Sequence, residues 1–182
     1  TDWECDLPGI TNQLGEYESL DSVNELAEKV MDVDDEDAFE AAMELFGDLD
    51  EAFNHCGDMT RIGTGYNMDR VIGEHYFYEL GAEGIGHDSL ESYFDYASFG
   101  RDIRLDYGQM DDDEPETAGE YWCGDEDASD REIGHAVVDS MGFDALGKST
   151  LEDYFDVESY GRDIRISGSF VEIRGEVWEY LE

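Results

Sequence analysis

Carboxylates are by far the most abundant groups in this chain that could carry out chemistry. The 182 residues include 50 Asp and Glu but only 10 Lys and Arg, which gives a formal net charge of −40. Pairs of carboxyl groups act as general acids and bases in many enzymes. At this density, however, close pairs arise from composition alone, so the sequence singles out no catalytic pair.

Metal-binding patterns were compared with the acid-rich segments. A calcium loop requires Gly at position 6 and a bidentate Glu at position 12. The segment that starts at Asp32 lacks that Gly and has Met43 at position 12, and the segment that starts at Asp111 has Glu116 at the glycine position. The four His form no H-E-x-x-H motif and the three Cys form no C-x-x-C motif. We therefore predict no metal site, no cofactor, and free thiols typical of a reducing cytoplasm.

Nucleophilic and nucleotide-binding motifs give no support for catalysis. The chain contains no G-x-S-x-G, Walker loop or G-x-G-x-x-G, which are the arrangements that position a nucleophile or a phosphate. We predict that the protein is not an enzyme.

The charge excess has to be reconciled with folding. Highly charged chains are often disordered, but here hydrophobic residues make up 40% of the chain and aromatic residues 13%, and the apolar residues are periodic. We predict a folded α+β protein with a highly acidic surface. Because crowding like charges into a ball is unfavourable, we expect an elongated string of small modules.

The same charge restricts the partners. Nucleic acid and anionic membrane surfaces would repel this chain, and no apolar run approaches the roughly 18 residues needed to span a bilayer. We therefore expect a basic partner, with no direct nucleic-acid binding and no membrane association.

An internal repeat organises the second part of the chain. Residues 69–105 align with residues 130–166 at a constant offset of 61, and 17 of these 37 positions are identical. The strongest stretch reads LESYFDYASFGRDIRL in the first copy and LEDYFDVESYGRDIRI in the second. We refer to these as copy one and copy two. Such self-similarity indicates two copies of one small module.

Five segments follow from this repeat and from composition. The predicted segments are a lead-in or truncated N-terminal element (1–15), a helical module (16–56), a first α+β module (57–109), an acidic linker (110–118) and a second, duplicated α+β module (119–182).

Helices open the chain and each copy. Helical periodicity predicts a helix over Ser19–Met31, another over about Asp35–Phe46 and a short one over Leu49–Asn54. Their predicted apolar positions are Leu20, Val23, Leu26, Ala27 and Val30 in the first helix, and Phe39, Ala42, Met43 and Phe46 in the second. Within the repeats, the predicted helices are Met68–Leu80 and Asp130–Met141.

Local signals complete the predicted modules. Ser129 and Glu132 fit a capping box, and Gly81 and Gly142 stand where a left-handed helix stop is expected. In copy two, Ser149 and Glu152 lead a short helix, and a further turn covers 95–100 and 156–161. Strands are expected at 60–63, 120–124, 169–174 and 176–181.

Arginines are scarce, which makes their placement informative. Four of the eight lie in the repeated G-R-D-I-R sequence, as Arg101, Arg104, Arg162 and Arg165. A guanidinium there is expected to brace neighbouring carboxylates at a helix-to-strand corner. The alternative is a contact in self-association or with a target.

The acidic surface has two interpretations. B-DNA carries one negative charge per about 1.7 Å of axis, so forty charges at that density would cover about 68 Å, or roughly 20 base pairs. This match favours mimicry of DNA. Adaptation to high salt would also give many acids and few Lys, and composition alone does not decide between the two.

The repeated motif resembles a known signature. L-x-x-Y-F-D-Y-x-x-F-G-R-D-I at 90–103, with its second copy at 151–164, resembles the signature segment of the ArdA antirestriction family. ECDLP at 4–8, GEYESLDSVNELAEKV at 15–30 and the helix at 67–81 resemble that family in the same order. The likeness covers most of residues 4–106 and, by duplication, 119–181. Most of that family's N-terminal module is expected to be absent.

The resemblance implies a function. ArdA-like proteins are carried by phages and mobile elements, mimic bent B-form DNA and inhibit type I restriction-modification enzymes by occupying their DNA site. It therefore implies a DNA-mimic inhibitor in the bacterial cytoplasm whose partner is the basic DNA-binding cleft of a methyltransferase and specificity complex. Because the family dimerises through its C-terminal module, the duplication implies either a homodimer or an internal pseudo-dimer. An anti-CRISPR inhibitor of a Cas effector, or a salt-adapted structural protein, are the alternatives.

Two groups of residues are predicted to matter. The predicted phosphate-mimicking carboxylates are Glu25, Glu28, Asp32, Asp35, Glu36, Glu40, Glu44, Asp69, Glu83, Asp88, Glu91, Asp95, Asp130, Asp144, Glu152, Asp153 and Asp156. The repeated motif supplies structural or self-association residues, namely Tyr93, Phe94, Phe99, Arg101, Asp102, Arg104, Tyr154, Phe155, Tyr160, Arg162, Asp163 and Arg165.

Overall fold

The protein is described by a computed structural model over residues 19–107 and 128–181, without the side chains of 82, 83, 106 and 107. Within these ranges it has nine α-helices and a three-stranded antiparallel sheet, which confirms the predicted α+β class. The contacts divide the chain into two compact units. Unit 1 comprises residues up to 75 and from 161 onward, and unit 2 comprises residues 76–160.

Three capped helices open unit 1. Helix α1 spans Leu20–Met31, α2 spans Glu36–Phe46 and α3 spans Leu49–His55. The side chains of Ser19, Asp35 and Asp48 accept hydrogen bonds from the first free N–H groups of these helices, which supplies the acceptors that helix starts need. The three predicted helices are confirmed to within one or two residues.

The core of unit 1 forms around α2. Phe39, Ala41 and Ala42 are fully buried, and Trp178 from the C-terminal strand belongs to the same cluster. Met43 and Phe46 pack against this cluster while only partly buried.

Helix α1 is less buried than its periodicity predicts. Leu26 and Val30 contact the core, but Ala27 is exposed and Leu20 is 76% exposed. The expected apolar face of α1 is therefore wrong at those two positions. Leu20 is the first residue of the helix and lies one and a half turns before the first core contact at Leu26, whereas the core forms under the middle and end of the helix.

The sheet joins distant parts of the sequence. Strand β1 spans Met59–Thr64, β2 spans Phe170–Ile173 and β3 spans Glu176–Tyr180, in the order β1-β3-β2. Arg174 and Gly175 both have positive φ, as a tight hairpin turn requires. The strands predicted near 60–63, 169–174 and 176–181 are confirmed, and the one predicted at 120–124 lies outside the described residues.

Helix α4, with bounds Met68–Ile85, consists of two helical segments on either side of Gly81, where φ is 63° and ψ is −178°. The first segment ends before Gly81, so the predicted helix Met68–Leu80 and the predicted glycine stop are confirmed. A short second segment, which was not predicted, follows the glycine up to Ile85. Gly142 also has positive φ and ends its helix.

Unit 2 contains the remaining helices. These are α5 (His87–Tyr93), α6 (Tyr96–Tyr107), α7 (Asp130–Met141) and α8 (Lys148–Tyr154), and α9 (Val157–Ser167) begins in unit 2 and ends in unit 1. The capping box of Ser129 and Glu132 is confirmed. Ser149 does not cap α8, because the N-cap is Gly147 and makes no side-chain hydrogen bond.

The predicted turns at 95–100 and 156–161 are wrong. Each is the first part of a complete helix, α6 or α9. Asp95 accepts hydrogen bonds from the N–H groups of Ala97 and Ser98, and Asp156 accepts one from the N–H of Ser159. These aspartates are therefore helix-capping residues, and capping favours helix over an isolated turn.

Replacing Phe39 with Ala tests the core of unit 1. Removing a fully buried aromatic ring leaves a cavity, so the free energy of unfolding should fall by about 3–5 kcal/mol. Urea denaturation followed by tryptophan fluorescence measures this, because Trp178 lies in the same cluster. Leu20→Ala is the control and should change the value by no more than about 0.5 kcal/mol. Equal effects of the two substitutions would contradict the described core.

Candidate functional site

The predicted carboxylates on the first helices lie at the surface of unit 1. Glu25, Glu28, Asp32, Glu36 and Glu44 are all exposed. Among the described residues no charged side chain is fully buried. Helices α1 and α2 thus carry these acids on their outer sides, and α2 packs its apolar residues against the sheet.

Unit 2 carries a second set of exposed carboxylates. Asp88, Glu91, Asp144, Glu152 and Asp153 are exposed. Glu83 belongs to α4, and its side chain lies outside the described residues. The five exposed acids lie on α5, on α8 and on the short turn of 3₁₀ helix at Phe143–Ala145.

Three predicted carboxylates form ion pairs with arginines of the same chain. Glu40 lies 2.6 Å from Arg174, Asp130 lies 2.8 Å from Arg104, and Asp69 lies 2.5 Å from Arg165. These three acids are half-buried, whereas the other predicted acids with described side chains are exposed. Their charge is balanced within the protein, so they contribute least to an unpaired negative surface.

Three more predicted acids cap helices. Asp35, Asp95 and Asp156 accept backbone N–H groups at the starts of α2, α6 and α9. The hydroxyl of Ser98, followed by the backbone N–H groups of Ser98 and Ala97, stabilises the charged form and lowers the pKa of Asp95. These aspartates stay exposed, but their first role is to start a helix.

The aromatic residues of the repeated motif lie in the core of unit 2. Phe94 and Phe155 form an isolated antiparallel bridge, and Phe94, Phe99, Phe155 and Tyr160 are buried. Tyr93 contacts the rings of Phe155 and Tyr160. The motif's aromatic residues are therefore packing residues.

The arginines of the motif lie within two helices. Arg101 and Arg104 belong to α6, and Arg162 and Arg165 belong to α9. The predicted helix-to-strand corner is confirmed in copy two, where Arg165 lies in the last turn of α9 and β2 begins at Phe170. In copy one the residues that follow α6 lie outside the described ranges. Asp102 and Asp163 share these helices, and Asp102 accepts a hydrogen bond from Tyr154 at 2.8 Å.

Sequence reasoning missed which copy each arginine contacts. Arg104 of copy one binds Asp130 of copy two, and Arg165 of copy two binds Asp69 of copy one. Asp69 and Asp130 are equivalent positions, so the sequence offers each arginine two identical partners. The repeat offset of 61 relates Asp69 to Asp130, but it does not tell which of the two aspartates each arginine contacts.

A cleft of about 540 Å³ lies beside the bridge in unit 2. It is lined by the matching segments of the two copies, 92–95 and 153–156, together with Ser159. Asp95 and Asp156 line it while capping their own helices. The cleft follows from the way the two segments meet, and in it the Ser159 hydroxyl donates a hydrogen bond to the Asp156 carboxylate at 2.7 Å as part of the cap of α9.

One group of metal-type ligands is brought together although no metal site was predicted. The ligand atoms of His87, Asp88 and Glu91 lie within 4.8 Å of one another on exposed helix α5. At the equivalent positions copy two has Lys148, Ser149 and Glu152. Exposed groups of this kind could hold a divalent ion weakly, and the geometry gives no reason beyond proximity to assign one.

Among the described residues, none of the helices is both long and apolar enough to cross a membrane.

These features define a class of protein: an acidic α+β protein that presents unpaired carboxylates on short, capped helices. A family model described as Antirestriction protein (ArdA) matches residues 1–114. The match covers more than half of the chain, so the chain belongs to the ArdA antirestriction family, and the resemblance seen in the sequence is confirmed. The match includes copy one and ends before copy two begins at Asp130. Comparisons with curated proteins and with solved structures found no match.

Replacing Asp95 with Ala tests the cap of α6. At pH 7 the free energy of unfolding should fall by about 1 kcal/mol, as for other N-cap losses. Because the folded protein lowers the pKa of Asp95, its contribution is present above the pKa of the unfolded chain and is lost as pH falls through the folded pKa. The difference between wild type and variant should therefore shrink in acid. Urea denaturation at a series of pH values measures it, and a difference that grows in acid would contradict this role.

Proposed function

We propose that this protein is a stoichiometric, non-enzymatic inhibitor of type I restriction-modification complexes that occupies their DNA-binding cleft as a mimic of duplex DNA. Membership of the ArdA antirestriction family supports the antirestriction role. The observation that carries the proposal is the exposure of the acids. Folding has fully buried none of the charged side chains in the described ranges, and most of the predicted acids are exposed, so their negative charge is available to a basic partner.

The spacing of acids on α1 supports mimicry. Glu25, Glu28 and the C-cap residue Asp32 are three and four residues apart, and this spacing places them on one face of the helix and its cap. At 1.5 Å per residue their positions are about 4.5 and 6 Å apart along the helix axis. Successive phosphates of one DNA strand advance about 3.4 Å. One helix face therefore presents negative groups at intervals of the same order as a strand of DNA.

The exposed acids of unit 2 are further candidates for phosphate-mimicking groups. Glu91 on α5 and Glu152 on α8 are equivalent positions of the two copies, and each lies near a basic side chain of its own helix, His87 at 3.7 Å and Lys148 at 3.9 Å. Asp88, Asp144 and Asp153 have no ion pair with a basic residue in the described part of the chain. We propose these three, with the α1 face, as the main phosphate-mimicking groups.

The mechanism is competition. Lys and Arg side chains that normally bind phosphates would bind these carboxylates instead, and the summed field would steer association. Neither a cofactor nor a metal takes part. Because inhibition of this kind takes place where the restriction complex acts, we propose the cytoplasm of a bacterial host as the place where the protein works.

Charge reversal of the α1 face tests the proposal. The triple variant Glu25→Lys, Glu28→Lys, Asp32→Lys should lose most of its ability to displace duplex DNA from a type I methyltransferase, with the inhibitory concentration rising at least about tenfold. The reason is that three attractive contacts become repulsive. Any one of these changes alone should have little effect, because the charge is distributed. Fluorescence anisotropy of labelled duplex DNA measures displacement.

A matched control separates surface pattern from net charge. Asp34→Lys, Asp139→Lys and Glu158→Lys also change the net charge by +6 but are scattered over the connection between α1 and α2, helix α7 and helix α9. This control should still displace DNA, and circular dichroism should show that both triple variants keep their helices. Full inhibition by the α1 variant would refute the assignment. Failure of the wild-type protein to displace DNA would favour a salt-adapted protein, and displacement only from a Cas effector tested alongside would redirect the proposal.

The salt dependence of direct binding gives a second test. If carboxylates replace phosphates, the logarithm of the affinity should fall linearly with the logarithm of salt concentration, as it does for DNA. Calorimetric titration of the methyltransferase with this protein, at several NaCl concentrations, measures the slope. The α1 variant should give a shallower slope than the scattered control. An affinity that salt leaves unchanged would argue against mimicry of phosphates.

A further inference from the structure

We propose that Arg131 is a specificity contact of the inhibitor, and that its guanidinium binds a carboxylate inside the DNA-binding cleft of the target, at a point where DNA would present an amino group of a base. Because the contact is made with the inhibited enzyme, this assignment rests on the function proposed above.

Arg131 is the exception among the basic side chains. The chain has only 10 Lys and Arg for 50 Asp and Glu, and all ten basic residues lie in the described ranges. Nine of the ten side chains lie within 4.0 Å of a carboxylate. Arg131 makes no such pair within these ranges, although its side chain is exposed. With carboxylates so plentiful, an unpaired guanidinium is the least expected state.

The two acids beside Arg131 in the sequence are engaged elsewhere. Asp130 pairs with Arg104 at 2.8 Å. Glu132 accepts a hydrogen bond from the backbone N–H of Ser129 at 2.8 Å and another from the hydroxyl of the same serine at 2.7 Å, as part of the capping box. The start of α7 therefore uses both neighbouring carboxylates for its own structure and leaves the guanidinium between them without a pair.

The other copy of the repeat shows what Arg131 has lost. Its equivalent in copy one is Arg70, which pairs with Glu74 one helical turn later at 2.7 Å. In copy two the position equivalent to Glu74 is occupied by His135, whose ring stacks on Tyr96 with the ring centroids 3.7 Å apart. Copy two thus keeps the arginine but uses the position of its partner for packing.

The fold itself gains little from a positive charge at this place. Arg131 lies in the first turn of α7, where the helix dipole disfavours a cation. The helix beneath it is firmly held, because Gly134 packs against the backbone of Tyr96 and Ile133 is buried. The guanidinium is therefore presented from a fixed surface, and a pre-organised group loses less entropy when it binds a partner.

The chemistry of the contact follows from the nature of the cleft. Basic groups of a DNA-binding cleft would repel Arg131, since like charges across an interface are costly. Surfaces that read DNA also carry carboxylates, which accept hydrogen bonds from the amino group of cytosine. A guanidinium offers five N–H donors in a planar fork that matches a carboxylate. Phosphates position a DNA-binding protein whereas base edges give specificity, so Arg131 supplies a donor that the acids of this surface lack.

Replacing Arg131 with Glu tests the contact by the sign of its effect. The substitution makes the protein more acidic by two charges, so mimicry by charge alone predicts unchanged or tighter inhibition. Loss of an ion pair with a carboxylate predicts the opposite, and the concentration needed to displace labelled duplex DNA from a type I methyltransferase should rise at least about tenfold. Fluorescence anisotropy measures the displacement, and circular dichroism should show unchanged helix content.

The equivalent position of copy one provides the matched control. Arg70→Glu changes the net charge by the same amount but removes an exposed pair within the helix. It should alter the inhibitory concentration by no more than about twofold, because such pairs contribute little. Wild-type displacement with an unchanged or stronger Arg131→Glu variant would overturn this contact and leave the proposed function intact, as would equal losses in the two variants. No displacement by the wild-type protein would refute the proposed function and this contact with it.

Charge exchange on the target identifies the class of partner. Each Asp and Glu in the DNA-binding cleft of the methyltransferase is replaced in turn by Lys, and direct binding is measured by calorimetric titration. One of these target variants should bind Arg131→Glu at least about tenfold more tightly than the unmodified target does, and should bind the wild-type protein more weakly. If none shows this exchange, the partner of Arg131 is not a carboxylate of the cleft and the assignment is wrong.

Discussion

Mutual repulsion among 50 acids is the constraint on which the rest of the structure depends. Each carboxylate must stay hydrated or find a donor, since a buried, unpaired charge is very costly. The fold follows this rule throughout the described ranges, where no charged side chain is fully buried. Asp35 and Asp95 accept hydrogen bonds from free backbone N–H groups at the starts of helices, and Glu40 forms an ion pair with Arg174. The negative surface is therefore a condition of folding, and the proposed inhibition uses that same surface.

Local signals explain why much of the fold could be predicted from the sequence. Helices α1, α2, α3 and α7 each follow an N-cap residue, namely Ser19, Asp35, Asp48 and Ser129. After each cap, the apolar residues recur with the helical period of 3.6 residues. Such caps are local hydrogen bonds, so their residue types alone indicate them. The C-terminal hairpin is also indicated by a local signal. Gly175 lies between two short runs with β-branched and aromatic residues, which is the pattern of two strands joined by a turn.

What could not be predicted depends on contacts between distant residues. The stretch after Asp95 resembled a turn because its polar residues obscured the helical period, although Phe99 and Ile103 lie one helical turn apart. The pairing of β1 with β3 joins residues more than a hundred positions apart. The use of Glu40, Asp69 and Asp130 as arginine partners also depends on tertiary structure, so sequence reasoning grouped them with acids that remain unpaired. The repeat made these ion pairs harder to predict, because Asp69 and Asp130 are equivalent positions and each arginine therefore has two equally good partners in the sequence.

The repeated motif separates two roles along one short stretch of chain. Its aromatic residues and glycine face the other copy, as the burial of Phe94, Phe155, Gly100 and Gly161 indicates. Acids beside them, such as Glu91, Glu152 and Asp153, face solvent. Helical periodicity makes this possible, because neighbouring residues point in different directions. A motif of this kind needs no direct contact with a target to matter for inhibition. It is sufficient that it fixes the helices whose outer faces carry the charge.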